Sequence, residues 1–454
     1  SGGVLANDVA PLSPAMALDA LPHHLRQAVD TNTPLPEQWA NVLRWLYVDP
    51  EWHSRCQAVL DALNRHGTAI FLSRDHTRRL FTQDKVSISR LEGFAQCPYR
   101  HFVNYGLKPV IRREYEFDPA DVGDFYHAAM EGYAALALRE TDFPDLPDEK
   151  IHALMDTVLL PLTTAWTDGP LNETPSLRLQ GEKYRRTVHR AAWMFTHHAQ
   201  HSRFRTVGEE VVFGEENGLP PVVLTLHDGR KIALRGKIDR IDRWEGDEGV
   251  YLLVSDYKSS HRDIDPTRLW YGLQLQLLLY LQAACEGLDG NPAGAFYFTL
   301  KDPMVDTADV KEAAEKAIAK KLHLKGIVLA DVDVVEALDS EPGYSFTKIF
   351  NADSSVASSS DGYTPEEMAA LLAHAKKMAA ELADRIRSGE ITPSPAVIRD
   401  WNACQWCDCA GVCKLDTSIP GHEKRELPPL SKQELLTRMA NDTDAPGNEE
   451  DTSP

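Results

Sequence analysis

The sequence lacks the features that would export the chain or insert it into a membrane. Its first residues, Ser-Gly-Gly-Val-Leu-Ala-Asn-Asp, contain no starting methionine and no basic segment, so we expect no signal peptide. The most apolar stretch, residues 272–285, is interrupted by Gln274, Gln276 and Gln282 and is shorter than the ~20 residues that span a bilayer. We therefore expect a cytoplasmic protein without a membrane partner, and a processed or excised piece of something longer.

Positive charge is scarce in this chain. Lys and Arg number 48 against 68 Asp and Glu, a net charge of −20, which is the wrong sign for a general nucleic-acid binder. Residues 178–205 are the exception, because seven basic residues face a single acid, Glu182. This stretch is either a solvated helix face or a surface that follows phosphates.

Cysteine is also scarce, and it is unevenly placed. An odd total of seven, without an export signal, argues against a disulfide framework. Four of the seven lie within ten residues: Cys404, Cys407, Cys409 and Cys413. Clustered thiolates can hold zinc or a 4Fe–4S cluster. In a local zinc site, Cys409 or His422 would serve as the fourth ligand.

The sequence is organised around a predicted hairpin, residues 231–258. Its first arm alternates apolar and polar residues, its second arm is an unbroken apolar run at residues 250–254, and the Gly- and Asp-rich residues 245–249 form the turn. The mean of 239 and 256 is 247.5, inside that turn, so a regular hairpin places Asp239 opposite Asp256. Lys258 leaves the same strand face as Asp256.

Two opposed carboxylates repel each other unless a cation or a proton lies between them. A divalent metal held by Asp239 and Asp256 would lower the pKa of a bound water, and the Lys258 ammonium would stabilise the developing charge of a phosphate. The alternative is a surface hairpin with ordinary charges, because Asp-x-Lys alone is a weak motif.

The motif Gly236-Lys-Ile-Asp239 followed by Asp256-Tyr-Lys258 resembles the core of the PD-(D/E)XK nucleases, in their RecB-like branch. Other segments follow in the order of that family and extend the resemblance over residues 86–417. They are the Cys97 segment (Ser89-Arg-Leu-Glu-Gly-Phe-Ala-Gln-Cys-Pro-Tyr-Arg-His-Phe102), Gly123-x-x-x-His127, Gln276-x-x-x-Tyr280 and the carboxy-terminal cysteines.

The resemblance implies an α/β fold, a restriction-endonuclease-like mixed sheet flanked by helices. It implies Mg²⁺ (or Mn²⁺) held by His127, Asp239, Asp256 and the Tyr257 carbonyl, with Lys258 acting on the attacking water. Gln276 and Tyr280 would orient the DNA strand or the lysine. Glu131 is a weaker candidate on the His127 helix, and Glu210 is expected to be a solvent-side strand residue.

The resemblance also assigns the cysteines. It implies a 4Fe–4S cluster that joins the two ends of the nuclease domain, with Cys409 as a spare. Its ligands would be Cys97, Cys404, Cys407 and Cys413.

Within this family, the chain resembles most the AddB component of the bacterial AddAB helicase–nucleases. That implies resection of DNA double-strand ends, with a single strand as the substrate and an AddA-like protein as the partner. The sequence contains no Gly-x-x-x-x-Gly-Lys-Ser/Thr loop, so we expect any ATPase site in a missing region or in the partner. The alternatives are a catalytically silent single-strand-binding scaffold and a standalone nuclease of CRISPR adaptation.

The expected organisation has three parts. Residues 1–85 form a helical segment at the end of a missing helicase-like region, residues 86–417 the nuclease domain, and residues 418–454 an acidic, disordered tail. Ser89 and Glu92 form a predicted capping box at the start of the Cys97 helix. One continuous helix is expected from about residue 265 to residue 284.

Overall fold

The computed structural model describes residues 13–63, 71–81, 84–110, 119–167, 170–303, 317–318, 320–346, 348–353, 355–357, 360–413, 415–417 and 422–443. The chain divides into two compact units, Ser1–Ile70 with Lys414–Glu423 and Phe71–Cys413 with Lys424–Pro454. In the described residues, no helix is long and apolar enough to cross a membrane.

The first unit is built from three amphipathic helices, as the sequence predicts. They are α1 (Pro14–Asp30), α2 (Glu37–Val48) and α3 (His53–Leu63). The Ser13 side chain caps α1 and Pro14 occupies its first turn, which is the favoured chemistry of a helix start. The helices bury a small core of their own around Leu21, Trp39 and Leu46.

The second unit is organised around one mixed sheet. Its described strands are β1 (Lys85–Ser87), β2 (Arg205–Phe213), β3 (Val223–Thr225), β4 (Lys231–Gly246), β5 (Gly249–Lys258), β6 (Asn291–Thr299), β7 (Lys325–Leu329) and β8 (Gly362–Tyr363). The order β1-β4-β5-β6-β7-β8 runs across the sheet, and β2 and β3 also pair with β4. The long strand β4 therefore holds together both halves of the sheet.

The predicted hairpin is confirmed in its register. Arg240 pairs with Ser255 and Gly246 with Gly249, so the turn contains only two residues. Gly249 has φ +124°, a conformation that residues with a side chain rarely adopt. Strand β5 is buried from Tyr251 to Tyr257, as expected of a central strand.

Strands β5 and β6 are parallel, and two helices connect them rather than one. The continuous helix predicted for residues 265–284 is wrong: α10 covers Pro266–Trp270 and α11 covers Gln276–Leu288. Gly272, at φ +73°, interrupts the helical backbone between them. This break makes Gln276 the first residue of α11, where its position is fixed by the helix start.

The remaining helices of the second unit pack on the sheet or on one another. They are α4 (Arg74–Leu80), α5 (Ile88–Gln96), α6 (Pro98–His101), α7 (Pro119–Ala137), α8 (Asp148–Thr167), α9 (Pro175–His201), α12 (Val332–Leu338) and α13 (Pro365–Arg387), with a π-helical turn at Phe102–Leu107. Helix α13 is capped by Thr364, which forms a complete capping box with Glu367.

The capping box predicted at Ser89 is wrong. Ser87 caps α5 by accepting a hydrogen bond from the Arg90 amide, so the helix begins two residues earlier. The second unit likewise begins at Phe71, before the predicted boundary at residue 86. Phe71 pairs with Glu390, and the Leu72 amide donates to the Gly389 carbonyl at 2.9 Å.

The prediction of a disordered tail is wrong for residues 424–443. Arg425–Glu426 (β11) joins a small sheet with β9 (Ala396–Ile398) and β10 (Trp401–Asn402). Two helices lie in this part of the chain, the short α14 (Ala410–Cys413) and α15 (Lys432–Thr443). Leu435 and Met439, four residues apart on α15, are 0% and 2% exposed. Sparse apolar residues at helical spacing suffice to bury this segment. Residues 444–454 lie outside the described residues.

The basic stretch lies largely on α9, and part of its charge is neutralised. Arg185 lies 3.9 Å from Asp156, while Arg186 and Arg190 both lie within 3.7 Å of Asp302. These exposed ion pairs favour the solvated helix face over a phosphate-binding surface for this part of the stretch.

Candidate active site

Three carboxylates stand in a row across neighbouring strands of the sheet. Glu210 lies on β2, Asp239 on β4 and Asp256 on β5. The register of β2 and β4 sets Glu210 beside Asp239, and continuing the β4–β5 register by one residue sets Asp239 beside Asp256. Asp239 is 5% and Asp256 1% exposed. The row therefore concentrates negative charge in a place that water reaches poorly.

His127 projects from α7 into this row. Its Nδ1 lies 3.2 Å from Glu210 Oε1 and 3.5 Å from Asp239 Oδ1. One ligand atom from each of these three residues lies within 4.8 Å of the others, and no other group of three or more possible metal ligands in the described residues meets that criterion. The sequence prediction that His127 meets the hairpin carboxylates agrees with this geometry.

The electrostatics of the row favour a cation. Burial, followed by the nearby Asp256 charge, raises the pKa of Asp239 to about 7. Burial opposes the charge on His127, but the hydrogen bond to Glu210 and the charges of Asp239 and Glu210 outweigh it and raise the pKa of the imidazole. Nearby carboxylate charge contributes to both shifts, and a divalent ion would offset it.

Glu210 corrects the sequence analysis, which placed it on the solvent side of a strand. Its side chain is only 7% exposed and forms an ion pair with Lys237 as well as the contact with His127. The backbone of Glu210 has φ +52°, a local distortion of β2. The adjacent pair Glu209-Glu210 was a usable signal, because neighbouring strand residues face opposite sides and one of them must point inward.

Glu131 does not join this group of ligand atoms. Glu131 is exposed, and its charge contributes to the raised pKa of Lys237.

Tyr257 contributes its backbone to the site. Its amide donates a hydrogen bond of 2.6 Å to Asp239 Oδ2, which fixes that carboxylate. Its phenol lies on the other side of the strand and donates to Glu209 at 3.4 Å. The role of the Tyr257 carbonyl as a metal ligand stays a prediction.

Lys258, Gln276 and Tyr280 form a connected chain with Asp256. The Lys258 ammonium pairs with Asp256 Oδ2, and Gln276 Nε2 donates to Asp256 Oδ1 at 3.0 Å. The same amide lies 3.0 Å from the Tyr280 phenol, to which it also donates. The structure thus brings the predicted Gln-x-x-x-Tyr motif to the predicted Asp-x-Lys strand.

Glu92 is a site residue that sequence reasoning missed. Its carboxylate on α5 accepts from the Leu275 and Gln276 amides at 2.7 and 2.9 Å, capping α11 from 183 residues away in sequence. No local pattern shows this contact, and the Ser-x-x-Glu spacing suggested a different partner. Burial raises the pKa of Glu92 to about 7.

The structure also brings the distant Cys97 to the carboxy-terminal cysteines. Burial, followed by the charges of Cys413, Cys409 and Cys97, raises the pKa of the Tyr99 phenol. The pKa of Cys404 is raised by burial and then by Cys97 and Cys407. All of them are free thiols, and Cys409 Sγ lies 3.7 Å from Asn104 Oδ1.

Comparison with known proteins agrees with this geometry. Residues 85–414 match the family described as the PD-(D/E)XK nuclease superfamily, which is well over half of the chain. The chain belongs to the PD-(D/E)XK nuclease superfamily.

A second match is more particular. Residues 12–62 match the family described as the ATP-dependent helicase/deoxyribonuclease AddB fifth domain. The chain is similar to the B subunit of the ATP-dependent helicase/deoxyribonuclease from Alkaliphilus metalliredigens, with 31% identity over 95% of this chain and 39% of that protein. It is 36% identical to the corresponding protein of Moorella thermoacetica over 89% of this chain and 36% of that protein. The resemblance to the AddB nuclease region is confirmed, and the chain spans under two-fifths of the length of these relatives.

Gly236, in the motif that precedes Asp239, is required by close packing. A Cβ at this position would lie 2.7 Å from Phe213 Cε1 and 3.1 Å from Tyr280 Cε1. We expect Gly236→Ala to displace Tyr280, to cost about 1–3 kcal/mol in the free energy of unfolding and to reduce cleavage. Urea unfolding measures the first effect. Gly93→Ala, whose Cβ meets nothing within 4 Å, is the control; equal behaviour of the two variants would contradict this packing.

Glu92 makes the stability of the nuclease unit depend on pH. Because its folded pKa of about 7 is raised above the ordinary 4.5, the folded state holds a proton that the unfolded state releases between these values. The free energy of unfolding should therefore fall as pH rises from about 4.5 to 7, by on the order of a few kcal/mol. Glu92→Gln keeps an acceptor oxygen and should lose the Glu92 share of this dependence in urea unfolding at pH 5 and 8, leaving the share of Asp239. Glu149→Gln, at an exposed glutamate, should behave like the wild type; an unchanged pH profile in Glu92→Gln would count against the capping role.

Proposed function

We propose that the chain is a metal-dependent deoxyribonuclease that hydrolyses phosphodiester bonds. The observation that carries this proposal is the meeting of His127, Glu210 and Asp239 within ligand distance of one another, beside the Asp256–Lys258 pair. Lys237 pairs with Glu210 and Lys258 pairs with Asp256, but among the described residues Asp239 pairs with no lysine or arginine. The buried row therefore suits a further cation beside Asp239.

The residues present fit a hard divalent cation. Oxygen donors from Glu210, Asp239 and Asp256 suit Mg²⁺, and the His127 nitrogen makes Mn²⁺ an acceptable alternative. The Tyr257 carbonyl is proposed as a further ligand. When bound, the ion would supply Lewis acidity and lower the pKa of a water molecule.

The protein side chains provide positioning and charge. Asp256 holds the Lys258 ammonium at the site, where it can orient the attacking water and stabilise the charge that develops on the phosphate. Gln276 fixes Asp256 and is itself fixed by the capped start of α11, so the geometry is set before substrate binds. Tyr280 is proposed to orient Gln276 and the DNA strand.

The names of the relatives suggest the biological setting. Those proteins are named as the B subunits of ATP-dependent helicase/deoxyribonucleases. We infer that this chain works in the cytoplasm with an AddA-like partner, in resection of DNA double-strand ends and recombinational repair. The match of residues 12–62 to the AddB fifth domain favours this setting over a standalone nuclease.

The cysteines fit a cluster better than a single zinc ion. Four thiolates around zinc at about 2.3 Å would bring their sulfurs within 4 Å of one another, and no three cysteine sulfurs of the described chain lie within 4.8 Å of one another. A multi-atom cluster holds its ligands farther apart. We therefore propose a 4Fe–4S cluster held by Cys97, Cys404, Cys407 and Cys413, with Cys409 as a neighbour.

The metal-dependent reaction is tested by Asp256→Asn, which removes one charge and the Lys258 partner without changing size. We expect cleavage of a labelled oligonucleotide in Mg²⁺ to fall at least about 1000-fold, because several kcal/mol of charge stabilisation are lost. DNA binding should be nearly unchanged. Asp333→Asn, at an exposed position on α12, is the matched control. Full cleavage by Asp256→Asn would refute the assignment, and binding without cleavage by the wild type would indicate a silent scaffold.

The cluster is tested by iron and zinc analysis of anaerobically purified protein. About four irons per chain and a broad absorbance near 400 nm are expected. Cys97→Ala should lose both signals, whereas Cys285→Ala and Cys409→Ala should retain them, since neither residue is a proposed ligand. Zinc without colour, or a cluster that survives Cys97→Ala, would contradict the proposed ligand set.

A further inference from the structure

A groove leads away from the active site and is not used by the reaction as described so far. It encloses about 770 Å³ and is lined by Lys258 and Gln276 of the active site. Trp401 and Trp406, in the segment that carries the clustered cysteines, also line it. The groove therefore connects the reacting centre with the cysteine-rich segment within the second unit.

Basic side chains line this groove in a chain whose net charge is −20. Arg100 and Arg262 form no ion pair with any carboxylate that the structure describes, and Arg262 is exposed. Of the three acids that line the groove, Glu92 caps α11, Asp265 caps α10 and Asp263 lies 3.1 Å from His261 Nε2. Four lysine and arginine side chains line the groove against these three acids, so its lining is positive in an acidic chain, which suits a polyanion.

Aromatic side chains also line the groove. Trp406 is 83% exposed, more than any other aromatic residue among the described large hydrophobics. Its neighbour Trp401 is half-buried, with the Arg268 guanidinium 4.4 Å from its ring centroid. An indole that covers no core contributes nothing to the fold, but it offers a flat face on which a base can stack.

We propose that this groove binds a single-stranded segment of the substrate next to the scissile phosphate. Trp406 stacks an unpaired base, and Arg100 and Arg262 contact the backbone phosphates that lead to Lys258. A duplex does not fit this arrangement, because its bases are already stacked on one another and their faces are hidden. The inference rests on the proposed function and adds to it a binding path for the strand that includes Lys258 and Trp406.

The position of Trp406 gives the cysteine segment a role in recognition. Trp406 lies between Cys404 and Cys407, so whatever those thiols bind also fixes the indole. The cysteine segment then positions the Trp406 indole in the groove, while β5 positions Lys258.

Binding is measured by fluorescence anisotropy of a labelled oligothymidine in EDTA, where cleavage does not interfere. Trp406→Ala should weaken binding about tenfold, the scale of one lost base stack. Trp406→Phe keeps a stacking ring and should remain within about threefold of the wild type. Trp45→Ala removes another exposed tryptophan, one that does not line the groove, and should bind like the wild type. A closed hairpin duplex should bind the wild type and Trp406→Ala equally.

Arg262→Ala provides a test that does not involve the cysteine segment. Removing one phosphate contact should lower the slope of log affinity against log salt by about 0.7 for a single strand. The iron content of each variant is recorded, so that a loss of affinity that follows a loss of iron is recognised. In that case the salt slope of Arg262→Ala and the affinity of Trp406→Phe decide whether the groove binds the strand.

Wild-type affinity in Trp406→Ala, or an equal loss for the hairpin duplex, would overturn the groove assignment. So would an unchanged salt slope in Arg262→Ala. Cleavage by the wild type in Mg²⁺ is measured alongside. If the wild type fails to cleave while the Trp406 effect holds, the proposed reaction fails and the strand-binding groove stands.

Discussion

The repulsion among three buried carboxylates is the constraint on which the rest of this structure depends. Glu210, Asp239 and Asp256 come from three neighbouring strands, and the register of the sheet gives them no freedom to separate. The sheet is rigid because β5 is buried on both faces and β4 pairs with four other strands. Burial and then the Asp256 charge raise the pKa of Asp239 to about 7, and a proton or a cation would offset this charge.

The elements around the row hold its members from several directions. Helix α7 supplies His127, the Tyr257 amide fixes Asp239, and Gln276 fixes Asp256. Gln276 is in turn held by Glu92, which lies five residues before Cys97. One short helix, α5, therefore supports the reacting centre through Glu92 and leads directly into the cysteine cluster. Damage at the cysteines is then expected to reach the active site through this helix.

Much of this arrangement could be predicted from the sequence, because it follows from local periodicity. The alternation in β4, the apolar run of β5 and the Gly-rich turn determine the hairpin register, and that register places Asp239 opposite Asp256. Helical spacing places Gln276 and Tyr280 on one face of α11, but their meeting with Asp256 is predicted from the family resemblance. The mixed α/β sheet flanked by helices is predicted from the same resemblance.

The rest depends on contacts that no local pattern encodes. Glu92 reaches the start of α11 across 183 residues. Strand alternation shows that Glu209 or Glu210 points inward but not which one, and β2 is distorted at Glu210. The helix break at Gly272 depends on a left-handed backbone conformation. Glycine permits this conformation, but the presence of a glycine does not predict it. The carboxy-terminal segment is folded against the rest of the unit through two buried side chains on α15. Two apolar residues are too few for the composition of the segment to predict that it is ordered.

The most direct test of this account is a crystal structure of the chain soaked with Mn²⁺, with anomalous data collected to locate the ion. We expect a strong peak bound by His127, Glu210, Asp239 and Asp256, at about 2.0–2.2 Å from their ligand atoms. Side-chain movements of the row should be small, since the sheet already holds it in place. A peak elsewhere, or none at a concentration that supports cleavage, would contradict the claim that this carboxylate row is built to hold a metal ion.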